Sequence, residues 1–161
     1  MPAAAAAPAE SGSVARCRVR RLKQRAGFER ALGAGPQAIV ARSPHFMLHF
    51  VPAAELSTGQ APGHPPAVDC QAGAVLPKRW ARRAVTRNLL KRQVYACFER
   101  HAGDLPAGIW VVRLRAAFDR EQFRSSASEV LKRAARQELD ALLAQGAARA
   151  RRQLAAPPAS T

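Results

Sequence analysis

Between Lys78 and Arg92 the chain places seven cations and no acid: Lys78, Arg79, Arg82, Arg83, Arg87, Lys91 and Arg92. A guanidinium offers a planar fork of donors to a phosphate, and an ammonium adds a mobile point charge. The chemistry open to such a run is recognition of a polyanion. At about 100° per residue, Arg87, Asn88, Lys91 and Arg92 fall on one side of a helix together with Tyr95. Val85, Leu89, Leu90, Ala96 and Cys97 fall on the other. The i, i+4 pair Arg87/Lys91 repels by a few tenths of a kcal/mol in an isolated helix, a penalty that an external anion removes. Solvated helix faces usually mix signs, yet no acid occurs between Asp69 and Glu99. Asn88, inside this row, can donate and accept at a sugar, a base edge or a hydrated metal.

Other residue sets offer less. His45 and His49 have a spacing that chelates metal on a helix, but on a strand they share a face ~13 Å apart at ~3.3 Å per residue, too far for one ion. They read as surface histidines, with His49 able to touch RNA. Asp119 and Glu121 sit beside an expected helix start, where acids favour the helix dipole, and Asp119 with Gln122 has the form of a capping box. Cys17, Cys70 and Cys97 are odd in number and contain no C-x-x-C pair, which suits neither a disulfide framework nor a zinc site. No Ser-His-Asp or Cys-His set and no glycine-rich phosphate loop is evident. No catalytic residue and no protein metal site is therefore expected. Trp80, which interrupts the basic run, reads as packing against the fold.

The whole chain agrees with a polyanion partner. Among 161 residues, 26 are basic and 11 acidic, a formal charge of +15, and a field of that size favours nucleic acid or an anionic membrane surface. No stretch approaches the roughly 18 apolar residues of a membrane span, and the Ala-rich start lacks the form of a secretory signal. A cytoplasmic protein with no membrane role is expected.

Elements must hold the basic row in place. Residues 1–15 and 145–161 read as Ala/Pro-rich disordered tails, and 52–68, with six Pro and Gly, as an extended loop. The single domain between the tails, 16–144, opens on a basic approach at 16–25. A short helix follows at about 23–33, then strands at 38–42 and 45–51, with Phe46, Leu48 and Phe50 on one face. A small-residue strand at 70–76 carries Gly73, where a backbone can approach closely. The basic run opens a helix that continues to about His101; a strand at 109–115 and a last helix to about 144 complete the domain. The last helix has the stripe Phe123, Ala127, Val130, Leu131, Ala134, Ala135 and Leu142, spoiled by Glu138. The reading is an α/β (α+β) two-layer sandwich in the order α-β-β-β-α-β-α, its helices on a four-stranded sheet.

The stretch from Lys78 to Arg92, with a basic pair, a spacer, Ala, and Arg-Asn-x-x-Lys-Arg on a helix, resembles the signature of the bacterial ribonuclease P protein subunit. The likeness spans about residues 18–144 and takes in Phe28, Gly73, Phe98, the Leu105-Pro106 turn and the strand that follows. The chain departs from the family pattern at Leu89, Gln71 and Pro77, and its loop and tails are longer. The resemblance implies a protein that binds a catalytic RNA and the 5′ leader of precursor tRNA, with Mg2+ chemistry on the RNA subunit of the endoribonuclease and no obligate protein partner. It implies a fold similar to a ribosomal-protein domain, with a left-handed β-α-β crossover. By the same resemblance Lys78, Arg79, Arg82, Arg83, Arg87, Asn88, Lys91 and Arg92 bind RNA, and Phe28, Phe46 and His49 line a leader cleft. From residue type alone, Phe28 and Phe46 are core side chains. A ribosome-associated RNA-binding protein and a basic-helix DNA-binding regulator are the rival readings.

Overall fold

The computed structural model describes residues 18–53, 70–119 and 129–155. The expected α-β-β-β-α-β-α order is present, preceded by a short strand. In chain order the elements are β1 (Val19–Arg21), α1 (Arg25–Gly33), β2 (Ile39–Arg42), β3 (Phe46–Pro52), β4 (Cys70–Val75), α2 (Ala84–His101), β5 (Gly108–Leu114) and α3 (Glu129–Ala155). They form one five-stranded sheet in the order β1-β4-β5-β3-β2. β4 and β5 are parallel neighbours joined through α2, whereas β3 runs antiparallel to both β5 and β2.

The fifth strand corrects the four-stranded expectation. β1 has one apolar residue in three and no alternation, so residues 16–25 read as a basic approach. What makes it a strand is parallel pairing with β4, extended by Cys70 N–H donating to the Arg18 carbonyl at 3.1 Å and Leu22 N–H to Ala72 at 2.8 Å. Its hydrogen-bond partners come from elsewhere in the chain.

Alternation along β3 and β5 divides the core. Phe46, Leu48 and Phe50, with Trp110, Val112 and Leu114, lie on the face packed by α2 and α3. Val51, Ile109 and Val111 lie on the other face, beneath Ala31, Phe28 and Leu32 of α1. Each fully buried large side chain contributes about 1.5–3 kcal/mol. Trp110 stacks on Phe50 with centroids 4.2 Å apart, and its indole N–H donates to the Pro106 carbonyl at 2.9 Å.

α3 continues to Ala155, well past the expected end at 144. Its later turns are held by small residues: Gly146, Ala147 and Ala150 are buried. A β-carbon on Gly146 would lie 3.2 Å from Val40 Cγ2. Such a stripe carries little hydrophobic signal, which is why the sequence reads as a tail. Leu131, Ala135 and Leu142 take their expected buried places, joined by Leu139 and Leu143. Val130 is exposed. Cys17, Phe123, Ala127, Glu121 and Gln122, and most of the 52–68 loop, lie outside the described residues. No helix among the described residues is long and apolar enough to cross a membrane.

Candidate nucleic-acid interface

The basic run is a loop followed by a helix. Trp80 N–H and Ala81 N–H donate to the Pro77 carbonyl at 3.0 and 3.2 Å, closing a tight turn after β4. Arg83 is extended at φ −82°, ψ 132°, and α2 begins at Ala84. Lys78, Arg79, Arg82 and Arg83 therefore stand on the loop, and Arg87, Asn88, Lys91 and Arg92 on the first turns of the helix. All are exposed except Arg87, which is half-buried.

Arg87 fixes the loop to the helix. Its Nη1 donates to the carbonyls of Ala81 at 2.9 Å and Arg82 at 2.8 Å. A lysine ammonium has donors enough but no fixed plane in which to hold both carbonyls. The start of α2 has no acid in its first turn and no side-chain cap on its N–H groups, so a helix-dipole end of positive sign lies beside Arg82 and Arg83. The ion pairs among the described residues are elsewhere, for instance Arg25–Glu29, Lys132–Glu129 and Arg100–Asp140. None engages a cation between residues 78 and 92.

Two side chains differ from the helical wheel. Tyr95, placed with the cations, is 8% exposed, and the Arg21 guanidinium covers its ring 4.4 Å from the centroid. Burial raises the pKa of its phenol, offset in part by Arg21 and a hydrogen bond from the Ala74 backbone. Val85, placed with the core, is 54% exposed. The wheel treats a helix as packed on one side along its whole length, but the first buried residue of α2 is Leu89, so its first turn stands clear of the core. Trp80 takes the expected packing role, half-buried against the core with Arg79 over its ring at 5.1 Å.

On the opposite sheet face α1 packs over β3 and β5. Phe28 is half-buried there and its ring lies directly on Gly73. Phe46 does not join it. It is completely buried on the α2/α3 face, since β3 alternation sends it away from Met47, His49 and Val51; the core role applies. His49 does face the α1 side, but it is 4% exposed and neither ring nitrogen has a hydrogen-bond partner. Burial, then Arg113 and Arg42, lower its pKa. It is a buried residue on the α1 side of the sheet instead of a surface histidine.

His45 shares no face with His49. It sits in the turn before β3, where its Nδ1 pairs with Glu138 Oε2 at 2.8 Å and its ring stacks on Phe118 at 3.9 Å. Glu138, which spoils the apolar stripe of α3, also accepts from the His45 N–H at 2.7 Å.

One cluster was not legible in sequence. Cys97 and His101 of α2 meet Asp140 of α3 with ligand-type atoms within 4.8 Å of one another. The Arg100 guanidinium occupies the same carboxylate oxygen at 2.8 Å, placing positive charge where a cation would sit. The cluster works as a helix clamp. Burial and Asp140 push the Cys97 thiol far up, so it stays protonated and donates to Asp140 at 3.3 Å. Partial burial opposes ionisation of Asp140, but hydrogen bonds from Arg100, Cys97 and His101 hold its carboxyl below the usual range.

A family profile described as Ribonuclease P matches residues 17–140. The ribonuclease P protein component of Ralstonia pickettii (strain 12J) is 38% identical over 122 residues, 76% of this chain and 74% of that protein. That of Burkholderia pseudomallei (strain 1106a) is 36% identical over 98 residues, 61% of this chain and 72% of that one. Among solved structures, the Staphylococcus aureus RNase P protein superimposes with a TM-score of 0.54 at 18% identity, over 77% of this chain and 92% of that one. That last likeness is one of fold.

Proposed function

Since this chain belongs to the ribonuclease P protein family, we propose that it is the protein subunit of a ribonuclease P, promoting removal of the 5′ leader from precursor tRNA. The loop and helix from Lys78 to Arg92 engage the catalytic RNA. The cleft at Phe28 and Gly73 takes the single-stranded leader. The observation that carries this reading is a row of seven cations on one loop-helix unit with no carboxylate paired to any of them among the described residues.

The physics assigns each part a task. Exposed arginines neutralise phosphates, Asn88 reads a sugar or base edge, and Arg87 keeps the loop registered on the helix. Phe28 offers a half-buried ring face, and stacking on an unpaired base is worth about 1–3 kcal/mol with little dependence on its identity. A protein that meets many different leaders needs that tolerance. Magnesium in this reading belongs to the RNA: the interface has no carboxylate from residue 70 to residue 98, so its donor set is built for anions. The protein positions substrate and ribozyme, and bond chemistry stays with the RNA.

The test is binding to the ribonuclease P RNA across a salt series. If about six phosphates are neutralised, log K against log salt falls with a slope near −4, at ~0.7 per phosphate. Arg87→Ala with Lys91→Ala makes that slope shallower and weakens binding. Wild-type affinity and slope in this variant would remove the basis of the proposal.

A further inference from the structure

The match to the family profile ends at residue 140, but α3 does not; it runs on to Ala155. After Asp140 the chain contains no acid, and the helix carries Arg149, Arg151 and Arg152, all exposed. This extension is seated on the sheet. Gly146, Ala147 and Ala150 are buried, at the i, i+1, i+4 spacing of one helix face. Gln145, Arg149 and Arg152 follow at i, i+4, i+7 and form the flank beside it. They meet Arg42, the last residue of β2, across a groove of about 580 Å³ lined also by Pro36 and Ile39.

This groove has charge but no counter-ion. Among the described residues no carboxylate pairs with Arg42, Arg149, Arg151 or Arg152. The two acids nearest in sequence on the helix are committed elsewhere: Glu138 to His45, and Asp140 to Arg100 and His101. Like charges at helical spacing repel, and an anion in the groove relieves them all at once. β2 is also the terminal strand of the sheet, so its outer backbone groups can meet phosphate or 2′-hydroxyl oxygens. A groove lined by short apolar side chains and guanidinium groups fits a sugar-phosphate backbone.

The groove is separate from the surfaces described above. β2 lies three strands from β4, roughly 14 Å at ~4.8 Å per strand, and the 78–92 loop leaves from the end of β4. It lies on the flank of α3, which packs on the same sheet face as α2. The leader cleft is on the other face.

We propose that the groove between β2 and the end of α3 is a second phosphate-backbone site, and that its ligand is the same catalytic RNA that residues 78–92 engage. This rests on the RNA-binding reading of the preceding section. Two contacts on one RNA make the second effectively intramolecular, so modest charge there yields a large gain in affinity.

The test uses the full chain with Arg149→Gln and Arg152→Gln, and separately Arg42→Gln, which leaves α3 untouched. Each is titrated with ribonuclease P RNA and with precursor tRNA alone, beside Arg87→Ala/Lys91→Ala. The double glutamine variant should bind the ribonuclease P RNA about tenfold more weakly near 0.1 M salt. Its log–log slope should be shallower by roughly 1.4, for two phosphates at ~0.7 each. Arg42→Gln should shift both in the same direction by about half, and precursor tRNA binding should not change. Unaltered affinity and slope in the groove variants, with the 87/91 variant impaired, would overturn the second site and leave the main interface standing. If the 87/91 variant is also unimpaired, the RNA-binding reading itself fails. A loss confined to precursor tRNA would overturn the assignment to the catalytic RNA.

Discussion

The Phe28 ring lies so close over Gly73 that a β-carbon at residue 73 would come within 2.7 Å of Phe28 Cζ. A strand glycine normally weakens a sheet; here it lets an aromatic ring settle on the backbone of β4 between α1 and the sheet. The seat of the Phe28 ring on the sheet is set by this one missing methyl group.

Gly73→Ala should therefore lift Phe28. Overpacking of this kind costs about 1–3 kcal/mol, readable as a lower midpoint in urea. Precursor tRNA with a leader should lose its advantage over mature tRNA in binding the reconstituted complex, while the salt slope for the RNA subunit stays at its wild-type value. A variant with intact leader discrimination would separate Phe28 from leader binding.

Arg87 acts in two ways, as a cation and as the tie between α2 and the carbonyls of Ala81 and Arg82. Arg87→Lys keeps the charge and loses the planar fork. The expected result is a weakened complex with a nearly unchanged salt slope, since phosphates are still neutralised but the loop is no longer registered. Hydrogen exchange at the amides of residues 81–84 should quicken. Exchange at the wild-type rate would mean that the two carbonyl contacts do not hold the loop.

His49 predicts a pH dependence. The unfolded chain protonates this residue near its ordinary value of 6.5, while burial, Arg113 and Arg42 keep the folded imidazole neutral to lower pH. The unfolded state thus binds more protons in that window, and stability falls as pH falls below about 6.5. Between about pH 7.5 and 5.5, wild type should lose more stability than His49→Gln. Parallel curves for the two proteins would show that the imidazole is not shielded from protonation.

Asp140 gives a second, lower window. Its folded pKa is depressed, so its contribution is present above the unfolded value near 3.8 and is lost as pH drops through the folded one. At neutral pH, Asp140→Asn should cost about 1 kcal/mol, the worth of a partly exposed hydrogen-bonded charge, and should loosen α3 from α2. A Tm equal to wild type would show that the clamp contributes nothing.

What the sequence revealed was local. The basic row and the strand alternation around Leu48 are written in neighbouring residues. β1 could not be read because its hydrogen bonds belong to β4, more than forty residues away. The end of α3 escaped because Gly146 and Ala150 pack by smallness, which a hydrophobic pattern does not register. Phe46 and His49 show the limit for the site. Alternation alone puts them on opposite faces, yet only the position of α1 reveals which face carries Phe28. Arg87 was legible as a cation, and its hold on the loop was not, because the turn at Pro77 delays the helix until Ala84.

The most direct measurement is reconstitution. The protein is mixed with ribonuclease P RNA and precursor tRNA at a magnesium concentration too low for the RNA alone, and release of the 5′ leader is followed. The account predicts stimulated cleavage at the mature 5′ end, reduced by Arg87→Ala/Lys91→Ala. Absence of stimulation, with the same RNA active at high magnesium, would contradict it.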